Sequence, residues 1–217
     1  MTEPFIKSSS ASRMAAILEA LSEASDLAIS QCDTPLGRMP EYFMAVHVAN
    51  HFAKKFVNFG YRLEASVKET LADAGVDDAE IDDLLEIDHL RGNGRFDLVL
   101  RTGRRGIPAH VVEFKRGSRS AHLFGDLKRL SYVSMAVHDA SRLKTNYLVF
   151  TTRKSQDALH DMLKTQEAED HAVNPRGRGQ LNFVLRGYEE IPHWTKDDSK
   201  REPKSMAVAV FEVQSRK

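Results

Sequence analysis

Residues 94–117, GRFDLVLRTGRRGIPAHVVEFKRG, constrain the fold more than any other stretch of this 217-residue chain. Two apolar runs, 95–101 and 109–116, flank TGRRGIP, whose glycines and proline suit a hairpin connection. With the turn centred near Arg105, Asp97 falls opposite Glu113 on the neighbouring strand. Facing residues on paired strands have Cβ atoms about 4.5–5.5 Å apart, and like charges there are destabilising. Two carboxylates in mid-sheet therefore require compensation. A hard dication such as Mg²⁺ would supply it, since it is held by one or two carboxylates plus substrate oxygens. Strand residues two apart share a face, so Val111, Glu113 and Lys115 point one way and His110, Val112 and Phe114 the other. Lys115 would then reach an attacking water or a phosphate oxygen. A one-residue slip in register would dismantle this geometry.

Acid-X-Lys alone is a weak signal, because the chain contains four copies, at 113–115, 126–128, 198–200 and 202–204. The last two lie in the polar segment KDDSKREPK, and the second lies inside a predicted helix. Only Glu113-Phe114-Lys115 closes an apolar strand and runs into a turn, at Gly117. Charge around it is segregated. Net charge is zero, with 31 basic and 31 acidic residues, yet 73–88 holds eight acids and no Lys or Arg. Residues 91–119 hold eight basic residues against two acids, Asp97 and Glu113. The acidic run reads as a solvated helix face or a cover over the basic face. The basic stretch provides the local positive field that a phosphate backbone would need.

Elsewhere, hydrophobic periodicity predicts helices over 11–30, 41–58, 122–139 and 155–165, with Gly60 ending the second. Alternation predicts a strand over 61–68, and TNYLVFT (145–151) a buried one. Late strands fit 181–186 and 206–213, after the basic loop NPRGRGQ at 174–180. Helix, three strands, helix, strand is the order of a mixed α/β sheet with additions at both ends.

The string at 94–117 resembles the core motif of the PD-(D/E)XK nuclease superfamily, the restriction-endonuclease-like fold, and the resemblance spans roughly residues 38–152. It implies a single domain: an αβββαβ core with a mixed central sheet flanked by helices, a helical addition at 11–30 and a C-terminal extension at 153–217. It implies that Asp97, Glu113 and the main-chain carbonyl of Phe114 bind Mg²⁺, with Mn²⁺ as a substitute, and that Lys115 orients or activates the water. Many members add a glutamate from the preceding helix. Glu41 matches that role, and Glu64 on the first strand is its rival. The family's proline before the aspartate is Phe96 here, and the Gln-X-X-X-Tyr signature of some branches is absent. In its place the following helix carries Asp126, Lys128, Arg129 and Tyr132. Arg95, Arg116, Arg119, Lys128 and Arg129 are the candidate phosphate contacts, an exposed helix face being the other reading of the last two.

The resemblance implies a Mg²⁺-dependent DNA endonuclease. The alternatives are a catalytically silent nucleic-acid-binding or assembly protein on the same fold, or a nuclease acting on RNA. Cutting both strands needs two active sites, which a homodimer would supply through the 11–30 and 41–58 helices. Composition excludes disorder throughout, with 41% hydrophobic residues, and no apolar run approaches a membrane span. The first ten residues lack the order of a signal peptide, and a single cysteine excludes an internal disulfide, so a reducing cytoplasm is the expected compartment. His47 and His51 have protease-like spacing, but Val48 stands where the glutamate is required. Gly92-Asn93-Gly94 is too short for a dinucleotide loop, and no nucleotide cofactor is expected. Cys32 reads as a small buried or inert residue, Trp194 as an anchor for the C-terminal segment, and Arg176 and Arg178 as a solubilising or nucleic-acid-touching loop.

Overall fold

A computed structural model describes residues 8–87, 90, 93–102, 106–170, 180–192 and 206–216. Alternating apolar positions build six strands: β1 (Phe59–Ser66), β2 (Arg95–Thr102), β3 (Ile107–Lys115), β4 (Thr145–Thr152), β5 (Gln180–Ile191) and β6 (Met206–Arg216). They form one mixed sheet in the order β1-β2-β3-β4-β6-β5. Six helices accompany it: α1 (Ser10–Cys32), α2 (Glu41–Lys55), α3 (Val67–Asp73), α4 (Asp78–Leu85), α5 (Ser120–Ala136) and α6 (Gln156–Asp170). A 3₁₀ turn at Leu36–Arg38 leads into α2. The protein is thus α/β, with helices on both faces of an open sheet. No described helix is long and apolar enough to cross a membrane.

The period-2 alternation sorts the sheet's side chains between two cores. Leu98, Leu100, Val112, Phe114, Tyr147 and Val149 pack with α1 and α2. Val99, Val111, Leu148, Phe150 and Phe211 pack with α3, α4, α5 and α6. Strands covered on both sides must be apolar throughout, which is why β3 and β4 read as near-continuous hydrophobic runs. β2 and β3 are antiparallel, and Leu98 pairs with Val112 and Val99 with Val111, the expected register. A bulge between Leu100 and Arg101 leaves Ala109 without a partner, next to Pro108, which cannot donate to the ladder. β3 and β4 are parallel, and α5 is the crossover that joins them. Their carboxyl ends therefore open on one edge of the sheet.

Two expectations are corrected, and the place of the C-terminal strands, which the sequence leaves open, is settled. Gly60 does not end α2. The helix stops at Lys55, the chain turns at Asn58 in the left-handed region (φ 69°), and Gly60 pairs with Arg101 inside β1. The acidic stretch is not one helix, because Gly75 at φ 81° separates α3 from α4, and α3 already begins at Val67. Asp73 is tied to Arg101 at 2.6 Å and Asp82 to Lys68 at 3.2 Å, so these acids pair locally. The C-terminal strands also belong to the sheet itself. β6 pairs with the whole of β4, from Thr145–Gln214 to Thr152–Ala207, and β5 forms the far edge.

His110 carries a stability consequence. It is 2% exposed beside Phe59 and Tyr147, with Nδ1 2.7 Å from the Thr145 carbonyl. Burial pushes its pKa down from 6.5 to about 3. The unfolded chain therefore takes up a proton below pH 6.5 that the fold refuses, and stability falls as pH drops from there toward 3. Its contribution to the slope is about 1.4 kcal/mol per pH unit. In denaturant titrations between pH 7 and 4, His110→Phe should show a shallower acid decline by that amount. An unchanged slope would mean that His110 is already protonated in the fold.

Candidate active site

The end of β3 where Glu113, Phe114 and Lys115 emerge collects charged groups from four elements. Asp97 enters from β2, one residue beyond the Leu98–Val112 pair, and its Oδ2 accepts the Phe114 backbone N–H at 2.7 Å. Glu113 faces it, and α5 lies across the same face. From α5, Arg129 brings Nη1 to 3.1 Å from Glu113 Oε1, rests its guanidinium over the Phe96 ring at 4.8 Å and donates to the Arg95 carbonyl. One helical turn earlier, Asp126 Oδ2 stands 3.3 Å from Lys115 Nζ. Glu41, at the first position of α2, accepts the Arg116 backbone N–H at 2.9 Å and holds its other oxygen 3.7 Å from Lys115 Nζ. Lys115 Nζ in turn donates to the Phe114 carbonyl at 3.1 Å.

Four carboxylates thus face two cations in a largely dry setting. Glu113 is 2% exposed, and the side chains of Arg129 and Asp126 are 14% and 15% exposed. Burial, reinforced by Asp97, raises the Glu113 pKa well above the usual carboxyl range, with Arg129 pulling the other way. Burial likewise raises Asp126, against the attraction of Lys115. Burial disfavours the Lys115 charge, but Asp126, Glu113, Glu41 and Asp97 together outweigh it and raise its pKa. Lys115 is therefore an ammonium at neutral pH, able to orient an oxygen or offset negative charge but not to accept a proton.

Glu113 Oε1 and Asp126 Oδ2 are buried without a well-directed hydrogen bond, although each lies within ion-pair distance of a cation. Such oxygens are under-satisfied by their present neighbours. Among the described residues, no three His, Cys, Asp or Glu side chains form a ready metal-holding group. The donors at hand are two carboxylates and the Phe114 carbonyl, all hard oxygens. That set suits Mg²⁺, which completes its shell with water and ligand oxygens. A dication taking these positions would displace Lys115 from the Phe114 carbonyl and Arg129 from Glu113.

Of the residues expected from sequence, Asp97, Glu113, Lys115 and Glu41 converge here. Glu41 and not Glu64 is the glutamate whose carboxylate is tied to the motif. Glu64 is exposed on the edge strand at φ 49°, and its main-chain carbonyl accepts Arg95 Nη1. Arg129 is turned inward onto Glu113 instead of outward toward a phosphate. Lys128 is half-buried beside it, and Arg95, Arg116 and Arg119 are exposed on the bordering segments. Asp126 is the residue that sequence reasoning passed over. Its spacing of three from Arg129 places both on one helix face, but that matters only once α5 is known to cross β3. His51 lies 3.2 Å from Glu19 on the α1–α2 surface and His47 packs on Phe43, away from this cluster. Cys32 is exposed, contrary to a buried role. Gly92, Arg105, Arg176, Arg178 and Trp194 lie outside the described residues.

Comparison with models of known protein families, with curated proteins and with solved structures finds no match to this chain.

Proposed function

We propose that this chain is a divalent-metal-dependent nuclease that hydrolyses phosphodiester bonds in DNA, on a restriction-endonuclease-like core. The observation that carries this reading is the meeting of Asp97, Glu113, the Phe114 carbonyl and Lys115 at one strand end. Asp97 holds the Phe114 N–H and Glu113 pairs with Arg129, but a second carboxyl group facing Asp97, with a buried oxygen that lacks a well-directed hydrogen bond, costs stability where an apolar pair would not. Asp97, Glu113 and the Phe114 carbonyl would hold Mg²⁺, with Glu41 and Asp126 at its margin. Bound there, the ion would acidify a water and offset charge building on the phosphate.

The chain's own groups do the rest. Lys115, kept charged by its carboxylate neighbours, orients the attacking water and stabilises negative charge on the phosphate oxygens. Glu41 fixes the turn after Lys115 through the Arg116 N–H. Before metal binds, Arg129 reaches across from α5 and holds Glu113 in place. Arg95, Arg116 and Arg119 supply strand contacts. One such site serves one strand, so cutting a duplex would take two copies of the chain.

The test is cleavage of supercoiled plasmid, labelled single-stranded DNA and labelled RNA, with Mg²⁺, Mn²⁺ or chelator. Cutting of DNA with either metal and none with chelator is the expected result, and preferential cutting of RNA would change the substrate. Absence of cleavage with any metal, alongside salt-sensitive DNA binding, would replace the enzyme with a binding module whose acids are neutralised by Lys115 and Arg129.

A further inference from the structure

A second concavity, of about 300 Å³, opens beside the acidic cluster, between the carboxyl ends of β3 and β4. Arg116, Gly117 and Ser118 line it from the segment after β3, Thr151, Thr152 and Arg153 from the end of β4, and Gly37 and Arg38 from the turn before α2. Three arginines and three hydroxyl-bearing residues are among the lining, with Thr151 Oγ1 on the Gly37 side, and no carboxylate is among them. Among the described residues neither Arg38 nor Arg116 has an ion-pair partner for its guanidinium. The wall is closely fitted. A Cβ on Gly37 would stand 2.6 Å from Met206 Cε and 3.2 Å from Thr151 Oγ1, so a larger residue there would have to push the Met206 side chain aside. Gly117 takes φ 117°, a left-handed conformation that L side chains rarely adopt, and so turns the chain out of β3 along the pocket. In α/β sheets the crevice beyond the carboxyl ends of parallel strands is where ligands bind.

Guanidinium forks backed by hydroxyls match phosphate oxygens in shape and charge. We propose that this pocket holds a nucleic-acid phosphate neighbouring the scissile one, and so sets where along the strand the bond at Lys115 is cut. The assignment rests on the nuclease reading for its second half only. Arg116 joins the two sites physically: its N–H binds Glu41 and its side chain lines the pocket.

The experiment measures binding apart from cleavage. Wild type and an Arg38→Ala/Arg153→Ala variant are titrated in chelator against three fluorescent 15-nucleotide probes: 5′-phosphorylated, 5′-hydroxyl and circular. Lys164→Ala, an exposed cation that does not line the pocket, is the control. Both variants are first checked for a wild-type melting curve. The double variant should bind at least about tenfold more weakly, with a salt slope reduced by about 1 to 2, while the control stays unchanged. A loss confined to the 5′-phosphorylated probe identifies a terminal phosphate, and an equal loss on the circle identifies an internal one. Wild-type affinity and slope in the folded double variant would overturn the proposal. Binding that depends on the pocket in a protein that never cuts would refute the nuclease reading alone. Cleavage that is indifferent to Arg38 and Arg153, with unchanged binding, would refute the pocket alone.

Discussion

Asp97→Asn and Lys115→Met should each lower metal-dependent cleavage by on the order of 10³-fold, but for different reasons that a metal titration separates. Asparagine preserves the acceptor for the Phe114 N–H, which alanine would leave unpaired at a cost of about 1–3 kcal/mol. Asp97→Asn therefore removes a charge with little disturbance of the strand end. Its remaining activity should need a higher Mg²⁺ concentration, because one of two anionic ligands has become neutral. Lys115→Met keeps the carboxylates and removes the ammonium between Asp126 and Glu41. Its metal requirement should stay at or below that of wild type, since a competing cation has gone, and the loss should lie in kcat. Equal activity in both variants and wild type would place the chemistry elsewhere in the molecule.

Arg129→Met should destabilise the metal-free protein by up to about 3 kcal/mol at pH values where Glu113 is ionised, because it strands a buried carboxylate. The loss has a sign in pH. Glu113 has a raised pKa in the fold, so between its unfolded and folded values the fold holds a proton that the unfolded chain has released. Stability falls as pH rises through that window. Removing Arg129 raises the folded value further, so the deficit of the variant grows with pH. Below about pH 4.5, where Glu113 is neutral in both states, only the Phe96 stacking and the Arg95 carbonyl contact are lost. That remainder is on the order of 1 kcal/mol. Adding Glu113→Gln should restore most of the stability at pH 8. Denaturant melts of the four proteins at pH 4.5 and 8 measure this directly. An equal loss at both pH values would show that Arg129 acts by packing rather than by charge.

The register of Asp97 against Glu113 was legible because two apolar runs flank a single short turn-forming segment, which fixes the centre of the hairpin. The bulge at Leu100 shifts only the turn-side half of the hairpin. Glu41 was expected only through the family resemblance, with Glu64 as its rival, and nothing in the periodicity of the helix distinguishes the two. The end of α2 was misjudged, because Asn58 rather than Gly60 adopts the left-handed turn, a choice that asparagine and glycine share. The acidic stretch was misread as one helix because charge alone does not reveal the break at Gly75.

Asp126 and the arginine pocket were not legible at all. Asp126 matters through Lys115, eleven positions away on another element, and the pocket takes its residues from four segments that lie far apart in the chain. Periodicity and turn chemistry act over a few residues, so the sequence by itself determined the strands, the helices and which residues share a face. Which helix covers which face, and which strand ends stand side by side, depends on burying two separate cores on one sheet. Only the tertiary structure decided that Arg129 neutralises Glu113, that Asp126 flanks Lys115, and that the last two strands complete the sheet.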